Sequence, residues 1–150
     1  MNRLPALALA ALLASLPAGA AGLAAGMVKN AKGSVTLERD GKAQALAAGA
    51  TVMGSDRIVT GADGSAGITL RDDTLLSVGP NSRVSLDKFV FDDLTHEGEM
   101  SASVKRGTMA VISGKLAKKS PTSVKFVTPS AILGVRGTEF VIDVGAGENQ

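Results

Sequence analysis

The sequence predicts an all-β domain of short antiparallel strands, arranged as a sandwich or as a solenoid. Three observations support this fold class. The 150-residue chain contains 18 Gly, which indicates many tight turns. Short stretches of alternating polar and apolar residues recur between these turns, and no segment keeps a helical period. Aromatic residues make up only 3% of the chain, so the core must be built from Val, Ile, Leu and Ala.

The first 20 residues are predicted to be a Sec-type signal peptide. A single basic residue precedes the Leu- and Ala-rich stretch Leu4–Leu16, and the small residues Ala18-Gly19-Ala20 form a cleavage site. Cleavage after Ala25 is the alternative. The apolar stretch is shorter than the ~20 residues that span a bilayer. We therefore expect a periplasmic or extracellular mature domain at 21–150, without a membrane span and with an ordered core at about 28–144.

The amino-terminal half of the mature chain predicts a series of short strands separated by tight turns. Val28–Asp40 is the opening strand, because its residues Ser34–Glu38 alternate polar and apolar side chains. Asp40-Gly41 is a strong signal for a two-residue hairpin turn, and Lys42–Leu46 is the return strand. Three further turns, at 61–64, 72–73 and 79–81, separate predicted strands at 56–60, 65–71, 74–78 and 83–91.

The carboxyl-terminal half contains two polar segments between its strands. Asp92–Glu99 is acidic and fits either a loop or the turn into a longer strand. Gly114–Pro121 is predicted to be a basic loop, because three lysines lie within it. Apolar alternation predicts strands at 101–106, 109–112, 123–128 and 138–144, with Gly107 separating the first two.

The residue types exclude several kinds of chemistry. The chain has no Cys, so disulfides, thiolate nucleophiles and zinc sites built on Cys are excluded. Its one histidine, His96, lies among acids, where a solvated side chain is more common than a metal ligand, and no Gly-x-Ser-x-Gly motif is present. The doublets Asp72-Asp73 and Asp92-Asp93 fit turns, because neighbouring side chains in a strand point to opposite faces. We predict no enzyme, no metal and no cofactor.

The charge balance does not indicate nucleic-acid binding. With 16 basic and 14 acidic residues, the formal net charge is +2. The basic loop has no interleaved aromatic side chains on which bases could stack. It is either a solvated loop or a site of attraction to an anionic partner or an envelope polysaccharide.

The segment Phe126–Phe140 carries the most information. A strand ends at Thr128-Pro129, where Pro removes a ladder donor. Arg136 lies between apolar neighbours, so its guanidinium must find acceptors if it is partly buried. We interpret Arg136 as an internal clamp that ties two strand layers together, rather than as a ligand-binding residue. Gly137 permits a backbone geometry that a Cβ would resist.

This segment resembles the signature of the FecR domain family. The family pattern is a Thr-Pro, a short apolar stretch, then Val-Arg-Gly-Thr and an aromatic residue. The matching residues, in order and spacing, are Thr128, Pro129, Val135, Arg136, Gly137, Thr138 and Phe140. Weaker similarities upstream, such as Gly33-Ser34-Val35, extend the resemblance over residues 28–144.

The resemblance implies an all-β domain on the periplasmic side of a bacterial envelope. The best-known members are inner-membrane regulators of iron-citrate type uptake, which sense an outer-membrane receptor and control an extracytoplasmic-function sigma factor. Because this sequence shows a signal peptide in place of a cytoplasmic tail and a membrane helix, it resembles the stand-alone, secreted form of the domain. The family supplies no catalytic residues, so the seven motif residues are expected to serve the fold.

The sequence therefore predicts a non-catalytic binding or regulatory module in envelope signalling or assembly. Its partner would be an envelope protein or a polysaccharide, recognised through a β-surface or an exposed strand edge. The alternative is a structural envelope or matrix protein that binds itself or polysaccharide. A hydrolase would need a centre built on His96 or on the acidic doublets.

Overall fold

The computed structural model describes residues 24–135 and 137–145, so the predicted signal peptide and Arg136 lie outside the described residues. The described chain is predominantly β-structure, and the prediction of an all-β fold is confirmed. The strands are β1 (Gly26–Lys32), β2 (Val35–Arg39), β3 (Lys42–Ala45), β4 (Thr51–Val52), β5 (Arg57–Thr60), β6 (Ser65–Leu70), β7 (Leu75–Val78), β8 (Arg83–Phe91), β9 (Gly98–Ile112), β10 (Val124–Val127), β11 (Ile132–Gly134) and β12 (Glu139–Gly145).

The strands form one continuous sheet that folds over into two facing layers. Layer 1 has the strand order β3-β2-β5-β8-β9-β10-β11, and layer 2 has the order β4-β1-β6-β7-β9-β12. The long strand β9 belongs to both layers. Its first half lies between β8 and β10, and its second half lies between β7 and β12. The arrangement of the two layers is sandwich-like.

Four of the corners at which the chain passes between the layers are stacked on one another, and we call them the corner seam: Gly33-Ser34, Gly61–Gly64, Gly79–Ser82 and Gly107-Thr108. Backbone hydrogen bonds join each corner to the next. The amide of Gly61 donates to Ser34 O at 2.9 Å, and that of Gly79 donates to Thr108 O at 3.0 Å. The glycines are required here because the stacked backbones leave no room for a Cβ at Gly33, Gly64 or Gly107.

Two buried hydroxyl groups hold the corner seam together. Thr60 and Ser82 are 2% and 0% exposed. The Thr60 hydroxyl donates to Gly79 O at 2.6 Å and accepts the amide of Ser82 at 2.9 Å. The Ser82 hydroxyl accepts the amide of Thr108 at 3.0 Å. Every polar group named here has a partner, as burial demands.

The core lies between the two layers and is built mainly from aliphatic side chains, as the composition predicts, with Phe91, Phe126, Met100 and Met109 buried among them. The predicted inward face of β6 is confirmed, since Ala66, Ile68 and Leu70 are all buried. Side chains of layer 2 meet Ile58, Val84 and Leu86 of layer 1 around a small internal gap. The alternation of buried and exposed residues along β5, β6 and β7 produces this face-to-face packing.

The predicted turns are confirmed: those at 40–41 and 72–73 form hairpins, and those at 61–64 and 79–81 are corners between the layers. Asp40-Gly41 joins β2 to β3, with positive φ at both residues as a type I′ turn requires. The turns at 61–64, 72–73 and 79–81 lie where the sequence places them. The predicted strand Val28–Asp40 is in fact two strands, because the chain turns at Gly33 (φ +65°), where Asp63 packs against it.

The carboxyl-terminal half differs more from the prediction. β9 is one strand of 15 residues that continues through Gly107, so the prediction of two strands, at 101–106 and 109–112, is wrong. Gly107 (φ +84°) bends the strand at the corner seam without ending it. β10 runs parallel to β9, unlike the antiparallel pairs elsewhere, and β11 is a strand that alternation did not predict.

The predicted basic loop contains a short α-helix, α1 (Lys115–Lys119), followed by a 3₁₀ turn at Pro121–Ser123. Its first turn lacks a capping side chain at Gly114. Instead, the carboxylate of Asp72, distant in sequence, accepts the amide of Leu116 at 3.3 Å. No helix in the described part of the chain is long and apolar enough to cross a membrane.

Candidate binding site

The two strands at the carboxyl-terminal side of the fold are both sheet edges. Within the described residues, β11 pairs only with β10 in layer 1, and β12 pairs only with β9 in layer 2. An open hollow of about 890 Å³ lies between them. We call it the edge hollow; it is lined by Pro121, Thr122, Leu133, Gly134, Val135, Gly137, Phe140, Val141 and Ile142.

Large apolar side chains are exposed around the edge hollow. Ile132 is 72% exposed and Val141 is 66% exposed, while Leu133 is 37% exposed. None of the described residues that line the hollow is charged, and Arg136, between Val135 and Gly137, lies outside the described residues. Clustered exposed apolar side chains at a concave surface are typical of protein interaction sites. The edge hollow is therefore the part of the described surface best suited to bind an apolar partner.

Three of the described family-motif residues, Val135, Gly137 and Phe140, line the edge hollow. Thr128 closes the turn between β10 and β11, because its hydroxyl accepts the amide of Ala131 at 3.1 Å. Pro129 is exposed at the tip of this turn. Val135 is buried and contributes to the core. Arg136, which we expect to act as an internal clamp, lies outside the described residues.

The second half of the motif joins the two layers. The rings of Phe140 and Phe126 meet edge to face, with their centroids 5.3 Å apart, so β12 of layer 2 packs on β10 of layer 1. Thr138 is held through its backbone, since its carbonyl accepts the amide of Ser113 at 2.7 Å. Gly137 has φ +88°, a conformation that favours glycine.

A second, polar groove of about 510 Å³ lies on the outer face of layer 1. Three of its charged groups have partners nearby. Asp87 accepts hydrogen bonds from Ser85, at 2.9 Å, and from Ser103, and Arg57 lies 3.4 Å from Glu38. None of the residues that line this groove is aromatic. The groove therefore lacks the apolar and aromatic lining that is usual in ligand pockets.

The acidic doublets hold turns, as their interpretation predicted. Asp72 is fully buried and accepts both the amide and the hydroxyl of Thr74, at 3.1 and 2.8 Å. Asp73 forms an exposed ion pair with Lys115 at 3.0 Å. Asp92 accepts the amides of Thr95 and Leu94, and these bonds lower the pKa of its carboxyl group. These carboxylates are engaged in local structure.

His96 lies at the tip of the loop between β8 and β9. Its ring stacks on Phe91 with the centroids 5.8 Å apart, so the side chain is half-buried where the sequence suggested a solvated one. Across residues 24–135 and 137–145, no group of three or more His, Asp or Glu side chains is placed to hold a metal ion.

Sequence reasoning missed β11 and the exposure of Val141. The sequence did contain a signal for the exposure of Val141. Phe140-Val141-Ile142 is continuously apolar, and strand alternation places Phe140 and Ile142 on the inner face. Val141 must then face outward, where an apolar side chain marks a contact surface. The short segment Ile132–Gly134 carries no alternation that could have identified it as an edge strand.

Comparison with known proteins gave one family match. The family profile described as FecR protein matches residues 56–150, which includes the edge hollow and most of the corner seam. The similarities noted in residues 28–55 lie outside the matched range. No curated protein and no solved structure matched the chain.

Proposed function

Because the chain belongs to the FecR protein family, a family of regulatory, non-enzymatic domains, we propose that it is a protein-binding module of bacterial envelope signalling. The observation that carries the proposal is the edge hollow. It brings exposed apolar side chains and two sheet edges together in the part of the chain that the family profile matches. The module acts by recognition, and the motif residues maintain the shape of the recognition surface.

The chemistry of the two concave surfaces favours a protein partner over a polysaccharide. A sugar needs polar groups that are available for hydrogen bonding, and the edge hollow is lined mainly by apolar side chains and glycines. The polar groove of layer 1 offers hydroxyls and charges, but Ser85, Asp87 and Ser103 already bond to each other. An apolar hollow between two strand edges matches peptide recognition by strand addition.

The motif residues support this function through the fold. The contact between the rings of Phe140 and Phe126 fixes the separation of β12 from β10. The hydrogen bond from the Ser113 amide to the Thr138 carbonyl holds the chain at the start of β12. These contacts set the width of the edge hollow. The envelope location and the predicted signal peptide are part of the proposal, in keeping with the envelope association that is typical of the family.

Val141→Asp tests the proposal, since it introduces a charge beside the edge hollow at a side chain that is already 66% exposed. With the chain from Ala21 as bait in envelope extract, we expect recovery of an identified receptor or membrane regulator. The variant should recover it about tenfold less, or worse, because an apolar contact residue is lost. The measurement is quantitative mass spectrometry of the captured proteins.

Val90→Asp is the matched control. Val90 is 54% exposed on β8, away from the edge hollow, and the same substitution there should leave capture unchanged. Recovery of only the chain itself or of glycan would contradict the proposal and favour the structural-protein alternative. Equal loss of the partner in both variants would show that the edge hollow is not the binding surface.

A further inference from the structure

The open edge of β12 presents backbone groups in a regular pattern. The amide of Ser113 donates to Thr138 O, and the register pairs Phe140 with Val111 and Ile142 with Met109. Along an antiparallel strand, residues whose backbone groups bond to the facing strand alternate with residues whose backbone groups point the other way. Thr138, Phe140 and Ile142 therefore direct their backbone groups toward β9. Glu139, Val141 and Asp143 direct theirs away from β9, toward the open edge.

The side chains of β12 alternate between two chemical environments. Glu139, Val141 and Asp143 are exposed on the outer face of layer 2, as two carboxylates on either side of one apolar residue. Phe140 and Ile142 point to the inner face and line the edge hollow. A strand added to β12 would follow the same alternation, with its own side chains next to these.

From this pattern we infer the chemistry of the partner: an extended protein segment of the form basic–apolar–apolar–apolar–basic that adds to β12 as a further strand. The inference rests on the proposed function. The two basic residues lie opposite Glu139 and Asp143, and the central apolar residue lies opposite Val141. The second and fourth residues enter the edge hollow. Because the pattern reads the same in both directions, it holds for a parallel or an antiparallel partner.

A second copy of this chain does not fit the same edge. Two β12 strands paired antiparallel about Val141 would place Glu139 of each chain opposite Asp143 of the other, and like charges directly opposite are destabilising. No segment of the chain's own sequence has the required pattern. The one pair of basic residues at this spacing, Lys115 and Lys119, lies in α1 and has Lys118 between them. The given sequence therefore contains no complementary segment, and we place that segment on a protein partner.

A synthetic peptide tests the inference directly. The probe is Gly-Ser-Lys-Val-Val-Ile-Lys-Ser-Gly, added to the chain from Ala21 and followed by fluorescence anisotropy. We expect saturable binding that weakens with added salt. A peptide in which Glu replaces both Lys should bind at least about tenfold more weakly, because it places acids opposite acids. Glu139→Lys with Asp143→Lys, both at exposed positions, should reverse this preference.

Backbone pairing is tested without altering the protein. N-methylation removes one peptide donor, either at the central Val or at the Val before it. Since these two amides point in opposite directions in a strand, one modified peptide should lose binding and the other should keep it. Equal binding by both modified peptides, or an unchanged charge preference in the Glu139→Lys, Asp143→Lys variant, overturns the inference. If the peptide does not bind while Val141→Asp still abolishes capture of the cellular partner, the inference fails and the proposed function stands.

Discussion

Replacing Asp72 by Ala is expected to lower the free energy of unfolding by about 3 kcal/mol, because three buried donors lose their acceptor together. The carboxylate is fully buried and accepts the amide of Thr74, the hydroxyl of Thr74 and the amide of Leu116. It therefore fixes the turn between β6 and β7 and also holds the first turn of α1. Thermal unfolding should show a melting temperature lower by about 10 °C.

Asp73→Asn is the matched control for this prediction. Asp73 is the neighbouring acid, its φ is +68°, and Asn tolerates that conformation well. Its ion pair with Lys115 is exposed at the surface, so the change in stability should be under about 1 kcal/mol. Similar losses for the two variants would mean that the Asp72 carboxylate is not the acceptor that organises this region.

Gly107→Ala is expected to destabilise the chain by about 3 kcal/mol, through steric overlap added to backbone strain. Gly107 has φ +84°, and a Cβ there would lie against the Ser82 hydroxyl and 2.6 Å from Ser82 Cα. Ser82 is fully buried and cannot move away without breaking its bonds to Thr108. Chemical denaturation with the midpoint and slope both fitted measures the loss.

Gly49→Ala separates the two contributions. Gly49 has φ +89°, almost the same conformation, but a Cβ there meets nothing within 4 Å. The strain of a left-handed alanine alone should cost about 1 kcal/mol. If Gly107→Ala costs no more than Gly49→Ala, the corners are not closely stacked, and the description of the corner seam is wrong.

Local sequence pattern predicted the hairpins because their determinants are local. The alternation in β6 and the Asp40-Gly41 turn depend on residues that are adjacent in the chain. By contrast, α1 forms where Gly114 supplies no cap and a five-residue helix has little intrinsic stability. Its amide acceptor is Asp72, 44 residues from Leu116, so no window of sequence around the helix contains the reason for it.

The candidate site was predictable only in part, because its motif residues are local in sequence but their contacts are not. The motif identified Phe140 and Thr138 as important, but their partners Phe126 and Ser113 come from other strands. The continuity of β9 through Gly107 could not be predicted, because a glycine between two apolar segments usually indicates a turn. Here Gly107 adopts a positive φ and bends the strand without ending it. The edge hollow is produced by the pairing of β10 and β12 along the same strand, which is a property of topology.

Site-specific photo-cross-linking in living bacteria tests most directly whether the edge hollow is the surface that binds a protein partner. A photo-reactive residue placed at Val141 lies beside the hollow, and one placed at Ser103 lies in the polar groove of layer 1. The proposed function predicts a discrete cross-linked product with another envelope protein from position 141 and none from position 103. Cross-linking to a protein from position 103 alone, or from neither position, would contradict it.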